Sequence, residues 1–404
     1  MDRYALSSIR IVDFTWAWAG PYCTKLLVDM GAEVIKIETN KRPDIARWMP
    51  PFPEEIPGLN RSGRFNKRHR GKLSITLDLT TEAGIDLIKK IIGVSDVITE
   101  NYSRRVMKKF GLEYEAVMEI RPDIVYISLS AFGTTGIYKD YVAYGPNQAA
   151  MSGLANLTGY RDGPPISFGT ALADPTAGLN GAVAVLAALY HRSKTGKGQH
   201  IDLSQTEMFT CLVGQPIMDY VMNGRVLSRD GNRDQIMAPH NFYRCKGEDK
   251  WVSIAIATDE EWQAFSHALG DPPWTKDERF SDQLSRWQNQ EELDRLVEAW
   301  TMDHTHYEVM EILQKVGVAA MPALNGEEIC HNPQLRERGF LVEVDHPEIG
   351  KRLMPGVSMK LSETPGAIRG SAPLLGEHNH YVFGQLLGMS PKEILELEEA
   401  GVIY

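Results

Sequence analysis

Apolar residues in the first third of the chain come in short blocks separated by amphipathic stretches. Residues 9–14 read as a strand buried on both faces, 15–20 as a loop, and 21–30 as a helix with Pro21 at its first position. Gly31 closes that helix, and 34–37 supplies a second strand. The pattern continues with a helix over 82–92, a strand at 97–99, a helix over 114–120 and a strand at 124–129. Regular alternation of this kind predicts an α/β fold, a parallel sheet held between layers of helices.

Further on the periodicity changes. The stretch 175–190 is rich in alanine, glycine and valine, and a helix with such small side chains packs closely against neighbours on most sides. A strand at 201–203 follows, then an apolar helix over 206–222 that ends at Asn223-Gly224. The polar, turn-prone run Arg229-Asp230-Gly231-Asn232 marks a boundary. Beyond it, a strand at 251–256 and helices over 259–269, 290–300 and 307–316 predict a smaller α+β unit. From 340 onward come short strands and loops, then closing helices near 381–387 and 391–400.

Composition adds bounds. With 404 residues, 43% of them hydrophobic, the chain can bury a large core and build two or three domains. Met1-Asp2-Arg3-Tyr4 lacks a secretory pattern, and no run approaches the roughly 18 apolar residues of a membrane helix, which points to the cytoplasm. Cys23, Cys211, Cys245 and Cys330 are far apart, so neither a disulfide framework nor a zinc site is expected, and all four are expected to be buried. A net charge of -10 argues against general nucleic-acid binding. Against that balance, the segment from Lys41 to Lys72 carries Arg42, Arg47, Arg61, Arg64, Lys67, Arg68 and Arg70. Such a stretch is either a solvated basic face or the seat of an anionic ligand.

Two nucleotide-binding readings fall away. Glu38 ends the second strand where a ribose-binding acid would sit, but the preceding loop is Thr15-Trp16-Ala17-Trp18-Ala19-Gly20, without the glycine fingerprint. No phosphate-binding P-loop is present either. Asp174 stands in Gly169-Thr170-Ala171-Leu172-Ala173-Asp174-Pro175, just before the small-residue helix. Aspartate followed by proline is a favourable N-cap and first-turn pair, so a purely structural cap is one reading. The other is a nucleophile kept ionised by the positive end of the helix dipole, with small neighbours that admit a thioester. His200, His240, His378 and His380 lack the spacing or neighbours that would give them a chemical role.

Several ordered landmarks carry a resemblance. Ile11-Val12-Asp13-Phe14-Thr15 with Ala19-Gly20-Pro21, then Gly31-Ala32-Glu33-Val34-Ile35-Lys36-Ile37-Glu38, resemble the start of class III coenzyme A transferases. Leu77-Asp78-Leu79, Glu100-Asn101-Tyr102, Lys194-Thr195-Gly196-Lys197-Gly198-Gln199 and Ala372-Pro373-Leu374-Leu375-Gly376-Glu377-His378 are similar to that family in the family's order.

The resemblance implies a Rossmann-like large domain built from 1–205 and 331–404, a linker helix at 206–225, a small domain at 226–330, and two subunits threaded through one another. It implies Asp174 as the nucleophile, an aspartyl anhydride and an aspartyl-CoA thioester as intermediates, and oxyanion donors in the Trp18-Ala19 loop and the helix start. CoA contacts would fall on Trp18, Ala19, Leu77, Asn101, Tyr102 and Lys109, with no cofactor or metal beyond the CoA substrate. Partners would be an acyl-CoA donor such as succinyl-CoA and an acceptor acid, with a second copy or a related subunit in the assembly.

Thr39, Thr80 and Val142 replace basic residues of formyl-CoA-using members, so Arg42, Arg104 or Arg105 would supply that charge. Gln235-Ile236-Met237-Ala238-Pro239-His240 stands in place of a glycine flap, which disfavours oxalate-sized acids, and Trp16 and Trp18 suit a larger acid. An acyl-CoA racemase of the same superfamily would need a histidine in Tyr144-Gly145-Pro146-Asn147-Gln148, where there is none. A non-catalytic partner subunit would not need Asp174.

Overall fold

Strands that are apolar on both faces need helices on both faces. The computed structural model describes residues 4–169 and 171–404; Met1 to Arg3, part of the run read above as lacking a leader, and Thr170 lie outside them. Six strands form one parallel sheet: β1 (Arg10–Asp13), β2 (Glu33–Glu38), β3 (Leu73–Thr76), β4 (Val97–Glu100), β5 (Val125–Ser130) and β6 (Gln199–Ser204). Their order is β3-β2-β1-β4-β5-β6, so the winding reverses between β1 and β4. A crevice at that point, beyond the carboxyl ends of the strands, is where open α/β sheets bind ligands. Residues 73–76 carried no strand expectation, since Leu73-Ser74-Ile75-Thr76 is short and half polar.

Alternate residues of one strand serve two cores. Ile11 packs with Cys23, Leu27, Val28, Val185 and Ala188, whereas Val12 packs with Leu87, Ile88, Ile91, Val382 and Phe383. The helices before the crossover to β6 are α1 (Ala19–Asp29), α2 (Gly63–His69), α3 (Glu82–Gly93), α4 (Arg105–Lys109), α5 (Tyr114–Ile120), α6 (Gly145–Met151) and α7 (Leu154–Leu157). They are followed by α8 (Ala173–Thr195), α9 (Gln205–Cys211) and α10 (Gly214–Asn223). Helices α1 and α8 cover one face of the sheet; α3, α5 and the chain's final helices cover the other.

The chain divides into two compact units. The larger takes residues up to 156, 167–227 and 333–404; the smaller takes 157–166 and 228–332. In the smaller unit, β7 (His240–Arg244), β8 (Trp251–Ala255) and β9 (Ala319–Pro322) form an antiparallel sheet. It is packed by Trp262, Phe265, Phe280, Leu293, Val297 and Leu313. The larger unit also carries the hairpin β10 (Leu341–His346) and β11 (Gly350–Pro355).

Four local expectations are corrected. The helix expected over 206–222 is two helices, because the amides of Leu212 and Val213 turn back to the carbonyls of Phe209 and Thr210 and end α9 in a tight turn. Helix α8 packs on one side only: Leu179, Val183, Leu186 and Tyr190, at helical spacing, are exposed. Cys211 and Cys330 are exposed, while Cys23 and Cys245 are buried, since 211 and 330 lie on outward faces of short helices. Finally, α8 starts at Ala173 with Leu172 at its N-cap, so Asp174 lies inside the first turn and does not cap it.

Candidate active site

The loop after β1 is built on a floor of buried ion pairs. Asp13 accepts from the Thr15 amide (2.9 Å) and hydroxyl (2.5 Å), from Thr24 Oγ1 (2.8 Å) and from Lys72 Nζ (2.9 Å). Burial would raise the Asp13 carboxyl, but the ammonium groups of Lys72 and Lys36 outweigh it and hold it below its ordinary range. Lys36 Nζ donates to the Thr15 carbonyl at 2.8 Å and lies 3.1 Å from Asp44 Oδ2. Asp44 Oδ1 in turn accepts the Ala17 amide at 3.1 Å. Asn101, at the end of β4, clamps Trp16 from the other strand: its Oδ1 accepts the Trp16 amide (2.8 Å) and its Nδ2 donates to the Trp16 carbonyl (2.9 Å). So held, Ala17 adopts a left-handed φ of 62°, a conformation that costs a residue with a Cβ on the order of 1 kcal/mol or more.

This strained turn delivers the chain into α1 with Trp18 at its N-cap and Ala19 as its first residue. The first amides of a helix have no intrahelical partner. The Ala19 N–H is near enough to the Asp174 carboxylate to favour its charged form, as is the amide of Asp174 itself. Close packing of α8 on α1 makes this possible. A Cβ at Gly178 would stand 2.6 Å from the Ala19 carbonyl oxygen, and one at Gly181 would stand 2.9 Å from Leu129 Cδ2. On the other side, a Cβ at Gly145 would stand 2.7 Å from Asp174 Oδ2, so glycine there keeps the carboxylate uncovered.

Asp174 is not the freely ionised group expected from the helix dipole. Burial raises its pKa to about 6, and the Arg68 charge and the two amides only partly offset that rise. It is still mostly ionised at neutral pH, and a desolvated carboxylate is a stronger nucleophile than a hydrated one.

Asp174 opens onto a cavity of about 1230 Å³ in the larger unit. Trp16 and Trp18, the aromatic run at Tyr141 and Tyr144, and Asn101, Tyr102 and Gln148 line it. Basic side chains dominate its charge: Arg42, Arg64, Lys67, Arg68, Arg104, Arg105 and Lys139 against Asp140 and Asp174. Arg42 lies 4.9 Å over the Trp16 ring and Arg68 lies 4.1 Å over Trp18. No histidine is among the described residues that line it.

The residues singled out in the sequence divide. Asp174, Trp18, Asn101, Tyr102 and Arg105 meet at this cavity, and Ala19 is not in its lining but lies near the Asp174 carboxylate. Leu77 does not: its side chain is in the sheet core and its N–H donates to the Glu38 carbonyl at 2.8 Å. Lys109 is exposed in the last turn of α4, away from the cavity lining. Arg105 is 3.7 Å from Asp140 in an exposed pair, and Val142 lines the mouth while 81% exposed. Asn101 has both amide atoms bound to Trp16, so it shapes the loop. Glu38, the would-be ribose acid, is taken by Arg47 at 3.0 and 2.7 Å.

The histidines are used locally: His378 Nδ1 accepts the Ser74 amide at 3.2 Å, and His200 lies 3.1 Å from Ser128 Oγ. Sequence reasoning did not single out Arg68, Gly145 or Gln148. Only the basic run around Arg68 signalled it, and Gly145 and Gln148 were considered only as part of a segment lacking histidine.

The family model described as CoA-transferase family III matches residues 6–379. This chain belongs to the class III CoA-transferases. It is 32% identical over 98% of its length to the succinyl-CoA–D-citramalate CoA-transferase of Chloroflexus aurantiacus, of which the match covers 98%. It is 33% identical over 99% of its length to a formyl-CoA:oxalate CoA-transferase of a Bradyrhizobium strain, of which 97% is covered. Among solved structures, a CaiB/BaiF family protein from Brucella suis superposes with a TM-score of 0.86 at 31% identity. That match covers 95% of this chain and 100% of the other. The transferase thus has its α/β fold in common with these relatives, and its activity is transfer of CoA between a thioester and a carboxylic acid.

Proposed function

We propose that the transferase uses Asp174 as its nucleophile, with succinyl-CoA as donor. Asp174 Oδ attacks the thioester carbonyl, the C–S bond breaks, and CoA thiolate leaves a mixed anhydride on the side chain. The thiolate then attacks Asp174 Cγ, releasing the donor acid and forming an aspartyl-CoA thioester. An acceptor carboxylate repeats the sequence in reverse: it attacks Cγ, expels thiolate, and its new anhydride is opened by that thiolate to give the product thioester and free Asp174. During each attack on Cγ an Asp174 oxygen becomes an oxyanion, and the Ala19 amide, which already favours the charged carboxylate, is the donor assigned to it.

The observation that carries this reading is the Asp174 carboxylate at the wall of a large basic cavity, bared by Gly145 and close to the Ala19 amide. The racemase alternative is weakened by the same residue, since Gly145 places no second base opposite Asp174. The succinyl donor is supported by the name of the Chloroflexus relative. Exposed cations at the mouth, Arg64, Arg104 and Lys139 among them, are the partners assigned to CoA phosphates.

We assign the assembly to two copies of this chain, interlocked. The exposed apolar stripe on α8, with Ile217, Met218, Val221 and Met222 exposed on α10, is more than a monomer leaves to water. A monomer in sedimentation equilibrium at micromolar concentration is the result against it.

The deciding experiment for Asp174 is chemical trapping. Enzyme incubated with succinyl-CoA and then treated with hydroxylamine, or with borohydride, should yield a modified peptide whose adduct maps to Asp174. Modification at another residue, or none under turnover, removes the proposed nucleophile.

A further inference from the structure

Seven lysine and arginine side chains among the described residues are nearly or fully buried: Lys25, Lys36, Arg47, Arg68, Arg70, Lys72 and Arg286. Six of them have a carboxylate at close range: Lys25 and Arg70 share Asp29 (2.7 and 2.9 Å), and Lys36 meets Asp44 (3.1 Å). Arg47 meets Glu38 (2.7 Å), Lys72 meets Asp13 (2.9 Å) and Arg286 meets Asp259 (2.7 Å). Arg68, only 6% exposed, makes no ion pair among the described residues. A buried charge without a counter-ion is costly, and proteins retain one where something else neutralises it.

The side chain is also fixed in place. Its guanidinium stacks 4.1 Å over the Trp18 ring, and Nη1 donates to the Ala17 carbonyl at 2.7 Å, the carbonyl of the residue strained into a left-handed turn. The protein takes one corner of the planar fork and leaves the rest toward the cavity that Asp174 shares. Arg68 and Asp174 line the same cavity without being in ion-pair contact, which leaves the guanidinium free to meet one end of an acyl group whose other end is at Asp174.

We propose that Arg68 is the specificity residue of this transferase, binding the distal carboxylate of a short dicarboxylic acyl group while the near end reacts at Asp174. The proposal rests on Asp174 as the site of reaction. A guanidinium fork matches a carboxylate bidentately, whereas an ammonium or an amide does not. A monocarboxylic acyl group would leave the guanidinium buried and unpaired, which discriminates against it far more than one missing methylene would. The CoA phosphates are a poorer match for this residue, because exposed cations serve the cavity mouth and Arg68 is at its buried end.

The test is the ratio of kcat/KM for succinyl-CoA and glutaryl-CoA to that for butyryl-CoA, read as formation of the trapped aspartyl adduct. Wild-type enzyme should favour the dicarboxylic thioesters, and Arg68→Met should lower the ratio about 100-fold. Arg68→Lys should restore part of it. An equal loss for all three thioesters would mean that Arg68 acts at the reacting end or on folding, and an unchanged ratio would mean that it does not contact the acyl group; either overturns the proposal. Should Arg68→Met not fold, wild-type enzyme carries the test by itself: equal rates with succinyl-CoA and with its terminal amide overturn the assignment. Absence of any adduct at Asp174 in wild-type enzyme is a different failure, that of the nucleophile.

Discussion

Lys72 and Arg68 come from the same basic run, one turn of helix apart in sequence, and the fold treats them in opposite ways. Lys72 goes under the loop after β1, where Asp13 at 2.9 Å and Thr24 Oγ1 at 2.7 Å satisfy it. Arg68 goes into the cavity wall, stacked on Trp18 and in ion-pair contact with no carboxylate among the described residues. The floor is a closed set of charges that supports a strained turn, and the wall is an open set that awaits an anion. What separates structure from function here is whether the charge is already balanced, since both regions are buried and both are basic.

The largest effect should come from taking the nucleophile out of the wall. Asp174→Asn should reduce CoA transfer on the order of 10⁴-fold or more, with CoA affinity by calorimetry nearly unchanged. A variant with full activity would end the distinction, because the open charges would then have no chemistry to serve.

The next effect sets floor against wall directly. Lys72→Met strands Asp13 in a buried site and should cost about 3 to 5 kcal/mol in urea denaturation. Arg68→Met breaks no ion pair and should cost about 1 kcal/mol, mostly lost stacking on Trp18. Equal losses from the two would show that the wall is structural after all.

The smallest effect concerns pH. Because burial raises the Asp174 pKa from 3.8 to about 6, the folded state holds that proton more tightly than the unfolded chain does. Its contribution to stability is therefore present below the unfolded value and is lost as pH rises through about 6. Asp174→Asn should then raise stability by about 1 to 2 kcal/mol at pH 7.5, a gain that fades as pH falls through 6 toward 4. Paired melting curves at pH 7.5 and 4.5 would measure it, and a destabilised variant at pH 7.5 would contradict the burial argument. In wild-type enzyme kcat/KM should fall about tenfold per pH unit below about 6 as Asp174 takes up its proton.

Most strands and helices of the large unit were legible because β1, β2, β4 and β5 are buried on both faces and the helices on one, which leaves two distinct periods in the chain; the short, half-polar β3 was not. Asp174 was singled out through its place in a family-like run. Its protonation behaviour was not, because the dipole reading used only neighbours in sequence, while the desolvation that dominates comes from α1 and Gly145. Leu77 and Lys109 were carried by position within motifs, and position along the chain does not say which way a side chain faces. Leu77 faces the core and Lys109 faces water.

The amino-acid sequence alone determined the alternating architecture, since this depends on local periodicity and composition. Only the tertiary structure decided which of the many cations between 41 and 72 are neutralised. The buried ones are settled by pairing of Lys72 with Asp13, Arg70 with Asp29 and Arg47 with Glu38, carboxylates from β1, α1 and the end of β2, across distances in sequence that no local pattern records. Charge balance is a property of what is brought together, and Arg68 is distinguished as a buried cation with no ion-pair partner among the described residues.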